Sequence, residues 1–150
     1  MAHWSDVERE APELAARARA LFDAHGHKTM ATLRSDGSPR ISGIEMEFRD
    51  ADVWIGSMWK GVKALDLQRD PRFAIHSASE DPDVWKGDAK IAGRAEEIEA
   101  AEADGERAPS HSFRLEVTEL SVVTHGGNPP DHLVIESWHE GRGVERRQRH

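Results

Sequence analysis

The chain has neither cysteine nor tyrosine among its 150 residues. The lack of cysteine excludes disulfides, thiolate nucleophiles, and zinc–thiolate or iron–sulfur sites, and the lack of tyrosine removes a common proton donor. No segment approaches the roughly 20 apolar residues that a membrane-spanning helix needs. The N-terminal sequence MAHWSDVERE is charged and lacks the apolar run of a secretory signal. We therefore expect a cytoplasmic protein with no membrane partner.

Basic residues are outnumbered as well, because 20 Lys and Arg against 28 Asp and Glu give a net charge of −8. A nucleic-acid partner is not expected, since a phosphate backbone needs a basic face. Hydrophobic residues make up 37% of the chain, which predicts one domain with a modest core that burial in a dimer would stabilise. We expect this domain at residues 1–143, followed by a basic C-terminal tail at 144–150.

Apolar residues near the N-terminus recur at helical spacing. From Val7 to Leu21 they lie three or four positions apart, which predicts an amphipathic helix over residues 5–25. Ser5 and Glu8 fit a capping box at its start. Pro12 favours an alternative, a short turn and then a helix that begins at this proline, because proline is tolerated only in a first helical turn.

From residue 27 onward the apolar period changes to two, which is typical of strands. Turn sequences such as SDGS and GGNPP separate them. The predicted strands fall within 27–138 and cover 27–34, 40–48, 53–57, 72–79, 85–98, 111–123 (one bent strand or a pair) and 131–138. Six or seven mostly antiparallel strands with short helices predict a mainly β protein that closes into a small barrel.

The segment from Trp54 to Arg72, WIGSMWKGVKALDLQRDPR, combines a strand, a polar turn and the start of a helix. The turn region carries the hydroxyl of Ser57 and the ammonium groups of Lys60 and Lys63. Free backbone amides, the helix dipole and these cations would face one anion, which predicts a phosphate-binding site. Solvated lysines on a helical turn are the structural alternative, although the helix dipole disfavours cations there.

Histidine is abundant, with nine residues, and invites a metal interpretation. None of the pairs has the spacing of a His-Glu-x-x-His helix, and cysteine ligands are lacking, so we expect no metal site.

Four motifs follow one another along the chain: ATLRSDGSPRIS at 31–42, the 54–72 segment, GDAKIAGRA at 87–95 and HLVIESWHEGRG at 132–143. In this order they resemble the pyridoxamine 5'-phosphate oxidase-like family of FMN-binding split β-barrels, within the flavin/deazaflavin oxidoreductases. The resemblance implies an antiparallel Greek-key split barrel and a homodimer with cofactor sites between the subunits. The implied cofactor is FMN or, as in some actinobacterial branches, the deazaflavin coenzyme F420.

The resemblance also implies which residues contact the cofactor. Lys63 matches the phosphate-binding lysine, and Lys60 is a second candidate. Two strands match those that line the ring and phosphate, and their residues are Arg40, Ile41, Ser42, Ile55, Gly56 and Ser57.

Two further parts of the chain match cofactor contacts in the family. Asp88 or Lys90 falls where the partner subunit makes a polar contact to the ring, and Trp138 begins the segment that covers the cofactor. Structural alternatives remain open: Arg40 as a surface ion pair with Glu45 or Glu47, and Trp138 as a packing residue.

Three functional hypotheses follow. The first is an oxidoreductase that binds FMN or F420 and transfers hydride to or from a small organic substrate. The second is a non-catalytic FMN, haem or tetrapyrrole carrier, in which haem would need a histidine ligand. The third is a structural dimer whose ancestral site is empty.

Overall fold

A computed structural model describes residues 2–101 and 110–150, apart from the side chains of 99–101. Three helices and nine strands occur in these residues. The helices are α1 (Trp4–Glu10), α2 (Pro12–Asp23) and α3 (Val62–Arg69). The strands are β1 (Lys28–Leu33), β2 (Pro39–Ile44), β3 (Met46–Arg49), β4 (Asp52–Met58), β5 (Arg72–His76), β6 (Asp88–Ala101), β7 (Ser110–Gly126), β8 (His132–His139) and β9 (Gly143–Arg149).

All strand pairs are antiparallel, in the order β2-β1-β5-β6-β7-β4-β3, with β8 on β7 and β9 on β8. Strand β7 connects the two halves of the sheet. Its residues 110–115 pair with β4, whereas its residues 119–126 pair with β8. The predicted mainly β, antiparallel split-barrel fold is confirmed.

The N-terminal region forms two helices rather than one over residues 5–25. Pro12 is the first residue of α2, where its missing N–H is not needed. The predicted capping box of Ser5 and Glu8 is wrong: His3 is the N-cap of α1, and its backbone N–H donates to the Asp6 carboxylate at 3.0 Å. Trp4, Val7 and other apolar residues of these helices are buried against the barrel.

The sheet has two more strands than the upper predicted number. The predicted strand at 40–48 is divided into β2 and β3 by Glu45, which belongs to neither. Most of the expected tail at 144–150 belongs to β9, which pairs along β8. Val144 lies opposite Trp138 and Arg146 opposite Glu136, so an apolar pair and a pair of opposite charges favour this register.

A bulge in β6 brings the strands close together at Gly93. The register of β6 against β7 shifts between Ala92 and Gly93. A Cβ at Gly93 would overlap the carbonyl oxygen of Glu116, so only glycine fits there. In the described residues, no helix has the length and hydrophobicity of a membrane span.

Candidate functional site

A cleft of about 640 Å³ lies where the β2–β3 break, the end of β4 and the start of α3 meet. Each element contributes for a local reason. Gly43 lies near the end of β2 just before the break at Glu45, the small residues Gly56 and Ser57 precede Met58 at the end of β4, and α3 begins after the tight turn that follows. The lining residues are His27, Gly43, Ile44, Glu45, Gly56, Ser57, Met58, Lys63 and Ser110.

Lys63 is the cation of this cleft. It is the second residue of α3 and half-buried, and its Nζ lies 3.4 Å from the carbonyl oxygen of Gly43 across the cleft. Within the described residues it forms no ion pair, although Glu45 lines the same cleft. An ammonium group that is partly removed from water and lacks a carboxylate partner is suited to binding an anion.

The turn between β4 and α3 is tightly built. Lys60 has a positive φ of 57°, and a Cβ on Gly61 would lie 2.6 Å from the Oγ of Ser57. Ser57 is 8% exposed, and its hydroxyl donates to the carbonyl of Met58 at 3.3 Å. Glycine at position 61 therefore allows the chain to turn directly over Ser57.

The expectation of free amides in this turn is only partly met. The N–H of Lys60 donates to the Nε2 of His111 at 3.0 Å, and the N–H of Gly61 donates to the carbonyl of Met58 at 2.9 Å. The first helical bond of α3 runs from Leu65 to the carbonyl of Gly61. The amides of residues 62–64 precede this bond, so they are the donors available to an anion.

Lys60 itself is exposed and does not line the cleft. The left-handed conformation at this residue follows the path of the turn, which the sequence pattern does not reveal. Of the two lysines in the motif, the structure brings only Lys63 to the cleft.

Arg40 is held by a buried carboxylate rather than by Glu45 or Glu47. Its Nε donates to Asp66 at 2.7 Å, and Asp66 is 2% exposed. Thr32 and Arg69 also donate to this carboxylate, at 2.8 and 2.9 Å. Burial alone would raise the pKa of Asp66, but the hydrogen bonds from Arg40, Thr32 and Arg69 outweigh it and hold the pKa below its usual value. Asp66 is therefore ionised at neutral pH.

Arg40 keeps its two terminal nitrogens outside this cluster. Only its Nε is bonded within the part of the chain that the structure describes, and its side chain is 27% exposed. Since Asp66 fixes the guanidinium, these nitrogens are oriented before any ligand arrives.

Strand alternation separates the other predicted residues of β2. Ile41 is 74% exposed and lies on the opposite face from Arg40 and Ser42. There it lines a hollow of about 220 Å³ together with His76 and Lys90. Arg40, Ile41 and Ser42 therefore do not form one surface within a single chain.

Asp88 and Lys90 lie on β6, outside the cleft. Asp88 accepts a hydrogen bond from the Nε1 of Trp85 at 2.8 Å, and the Nε2 of His76 lies 3.6 Å from its carboxylate. Their predicted contact comes from the partner subunit, so it stays a prediction.

Trp138 and Ile55 point into the core. Trp138 is 0% exposed and Ile55 is 2% exposed. On β8, Trp138 shares the buried face with Val134 because residues four positions apart on a strand point the same way. The predicted contact of Trp138 with the cofactor stays a prediction, while the burial of the ring in this chain favours the packing alternative. Ile55 does not line the cleft, whereas its neighbour Gly56 does.

Sequence reasoning missed several lining residues: His27, Glu45, Met58 and Ser110. It also missed His111, which is 3% exposed and bonds to the turn before α3. The signal that could have identified it is a histidine at a position of a predicted strand whose alternation calls for a buried, apolar residue.

The chain matches no family model and no curated protein. Solved structures do match. PhzG from Burkholderia lata 383, in complex with tetrahydrophenazine-1-carboxylic acid, is 15% identical with a TM-score of 0.70, over 97% of this chain and 94% of that one. A pyridoxamine 5'-phosphate oxidase-related, FMN-binding protein from Nostoc punctiforme is 12% identical with a TM-score of 0.64, over 96% of each chain.

An F420 reductase is 18% identical with a TM-score of 0.55, and the match covers 69% of this chain and 94% of that one. These identities are low, so the matches concern the fold. The order of the four sequence motifs and the antiparallel pairing of the strands indicate the same fold as these matches. The resemblance is confirmed: this chain has the fold of the pyridoxamine 5'-phosphate oxidase-like split β-barrels.

Proposed function

We propose that the chain binds the phosphate group of FMN in the cleft around Lys63 and acts as a flavin-type oxidoreductase on a small organic molecule, with F420 as the alternative cofactor. The observation that carries this proposal is the ammonium of Lys63, which is half-buried beside the first amides of α3, donates to the carbonyl of Gly43 and has no carboxylate partner among the described residues. In the matching fold, structures described as FMN-binding and as an F420 reductase support a cofactor of this type.

The donor set of the cleft fits a phosphate ester. Lys63 would supply the positive charge, residues 62–64 the amide donors, and Ser57 a hydroxyl whose present acceptor is only a main-chain carbonyl. The cleft of about 640 Å³ is in the size range of cofactor sites.

Hydride transfer is the chemistry that FMN or F420 supplies when bound. The residues of this chain would bind and orient the cofactor. Arg40, fixed by Asp66, would present its free nitrogens to negative charge. Glu45 lines the cleft together with Lys63 and would disfavour a second anion close to the first.

The proposed assembly is a homodimer in the cytoplasm. Ile41, 74% exposed, stands with Ala31 and Ala74 on the outer face of the sheet. An exposed apolar surface of this kind favours association with a second copy. Lys90, on the same face, would then approach the cofactor of the partner.

Titration of purified apoprotein with FMN and with F420 tests the cofactor proposal. Lys63→Ala should weaken binding of the correct cofactor by about 1.5–3 kcal/mol, the value of a hydrogen bond to a charged group. Lys86→Ala is the matched control, because Lys86 is exposed and outside the cleft. If Lys63→Ala and Lys86→Ala bound the cofactor with equal affinity, the proposal of a phosphate site in this cleft would be wrong.

A haem carrier is the second candidate, because His27 lines the cleft and histidine is a common axial ligand of haem. Haem titration followed by absorption distinguishes it. A haem spectrum that His27→Ala abolishes, together with no FMN or F420 binding, would replace the flavin proposal.

A further inference from the structure

His111 is a buried histidine that contacts the turn between β4 and α3 but does not line the cleft. We propose that His111 is a positioning residue which, in its neutral form, holds this turn so that Ser57 and Lys63 face the cofactor phosphate. The proposal rests on the proposed function, since it assigns the turn to phosphate binding.

The hydrogen bonds determine which tautomer is present. A backbone N–H can only donate, so the Nε2 of His111, 3.0 Å from the amide of Lys60, is the acceptor. The ring proton therefore lies on Nδ1, which donates to the carboxylate of Glu97 at 3.0 Å. Gln68 of α3 donates to the same carboxylate, at 3.0 and 3.2 Å. This network connects β6, β7, α3 and the turn.

The turn needs such support. Lys60 has a φ of 57°, a left-handed conformation that is unfavourable for residues with a Cβ. The indole of Trp59 stacks on the imidazole, with ring centroids 4.7 Å apart and planes 7° from parallel. His111 therefore holds two successive residues of the turn, one by its ring face and one by its Nε2.

Protonation of His111 would remove one of these contacts. The second proton would reside on Nε2, so that two N–H donors would face each other at Lys60. Glu97 from β6 is the ionisable side chain bonded to the ring, Lys60 from the turn contributes its backbone N–H, and the residues opposite His111 on β4 and β6 are Ser57 and Ala100. Phe113 lies along β7, with its ring 6.3 Å away. We therefore expect the turn to loosen, and the cofactor to bind more weakly, when His111 is charged.

The test compares wild type with His111→Gln and His111→Leu. Glutamine offers an amide oxygen close to the position of Nε2 and cannot be protonated, whereas leucine removes the acceptor. At about pH 8, wild type and His111→Gln should bind the cofactor alike, and His111→Leu about tenfold more weakly, as for the loss of one buried hydrogen bond. Thermal melts establish that each variant is folded.

The same titrations at about pH 5.5 give the second comparison, because an imidazole can take up a proton in acid whereas the amide of glutamine cannot. Protonation of the cofactor phosphate affects every variant equally. Wild type should therefore lose about tenfold more affinity than His111→Gln over this range, the factor expected for one hydrogen bond. An identical loss in both proteins, or unchanged affinity of His111→Leu at about pH 8, would overturn the proposal.

Tryptophan fluorescence of the apoprotein supplies a readout that does not depend on cofactor. A protonated imidazole quenches an adjacent indole, and Trp85 also lies against a histidine, His125, with ring centroids 4.6 Å apart. Wild type should therefore show a larger fluorescence decrease on acidification than His111→Gln and Trp59→Phe. An equal decrease in wild type and His111→Gln would contradict the role of His111. Failure of wild type to bind either cofactor would instead refute the proposed function, while the fluorescence transition still reports on the turn.

Discussion

Helix α3 carries two charged residues three positions apart with opposite surroundings. Lys63 lines an open cleft and forms no ion pair within the described residues, whereas Asp66 is 2% exposed and accepts hydrogen bonds from Thr32, Arg40 and Arg69. A buried charge with all its partners present is a structural feature, and a half-buried charge without a partner is available for a ligand. On this one helix, Lys63 is therefore the residue suited to bind a ligand and Asp66 the residue that stabilises the fold.

The largest expected effect is on stability at Asp66. Asp66→Ala leaves Arg40 and Arg69 without their shared carboxylate and should lower the free energy of unfolding by about 3 kcal/mol, the lower end for breaking a buried pair, because both arginines reach water. Urea denaturation measures this value. A loss below about 1 kcal/mol would place Asp66 with ordinary surface charges.

The stability from Asp66 should also depend on pH. Its pKa is lower in the folded chain than in the unfolded chain, so the native state binds fewer protons and the stabilisation is complete above the unfolded value, about 3.9. As the pH falls below about 4 and through the folded pKa, this stabilisation is lost. Asp66→Asn should flatten this part of the curve relative to wild type, as measured by urea denaturation from about pH 5 to pH 2.

Arg40 belongs to both regions and should show an intermediate effect. Arg40→Ala should lower the free energy of unfolding by about 1.5 kcal/mol, for one hydrogen bond to a charged group, because Thr32 and Arg69 remain on Asp66. It should also weaken cofactor binding if the free nitrogens contact negative charge. Loss of stability with unchanged affinity in the same preparations would make Arg40 a purely structural residue.

The smallest expected effect on stability is at Lys63. Lys63→Ala should change the free energy of unfolding by no more than about 0.5 kcal/mol, the usual range for a surface substitution. Urea denaturation of the cofactor-free variant beside Lys86→Ala tests this. A clear loss of stability would mean that Lys63, like Asp66, has a structural role.

Much of the fold was predictable because it depends on local patterns. Alternating apolar residues identified the strands from 27 to 138, and Pro12 indicated the break that divides α1 from α2. Strand β9 was missed, since GVERRQR has no alternation of its own and is recruited by pairing with β8. The break at Glu45 was missed for a similar reason, because apolar alternation continues through it.

The candidate site was less predictable. The motif identified Lys63, Ser57 and Gly56, which do line the cleft. It did not show that Lys60 points away, that Ile41 lies on the opposite face, or that Trp138 is covered by the sheet. These outcomes depend on the rotation of each strand relative to its neighbours, which no single segment encodes.

The sequence by itself determined the class of the molecule: a mainly β single chain with no thiol chemistry, an acidic surface, and a strand–turn–helix segment suited to a phosphate. Only the tertiary structure decided which charges are free. The sequence of α3 does not distinguish the surroundings of Asp66 from those of Lys63. The surroundings differ because Thr32 and Arg40, 34 and 26 residues from Asp66, both donate hydrogen bonds to its carboxylate. Such pairing depends on contacts between distant strands, since burial and partner geometry determine the energy of a charge.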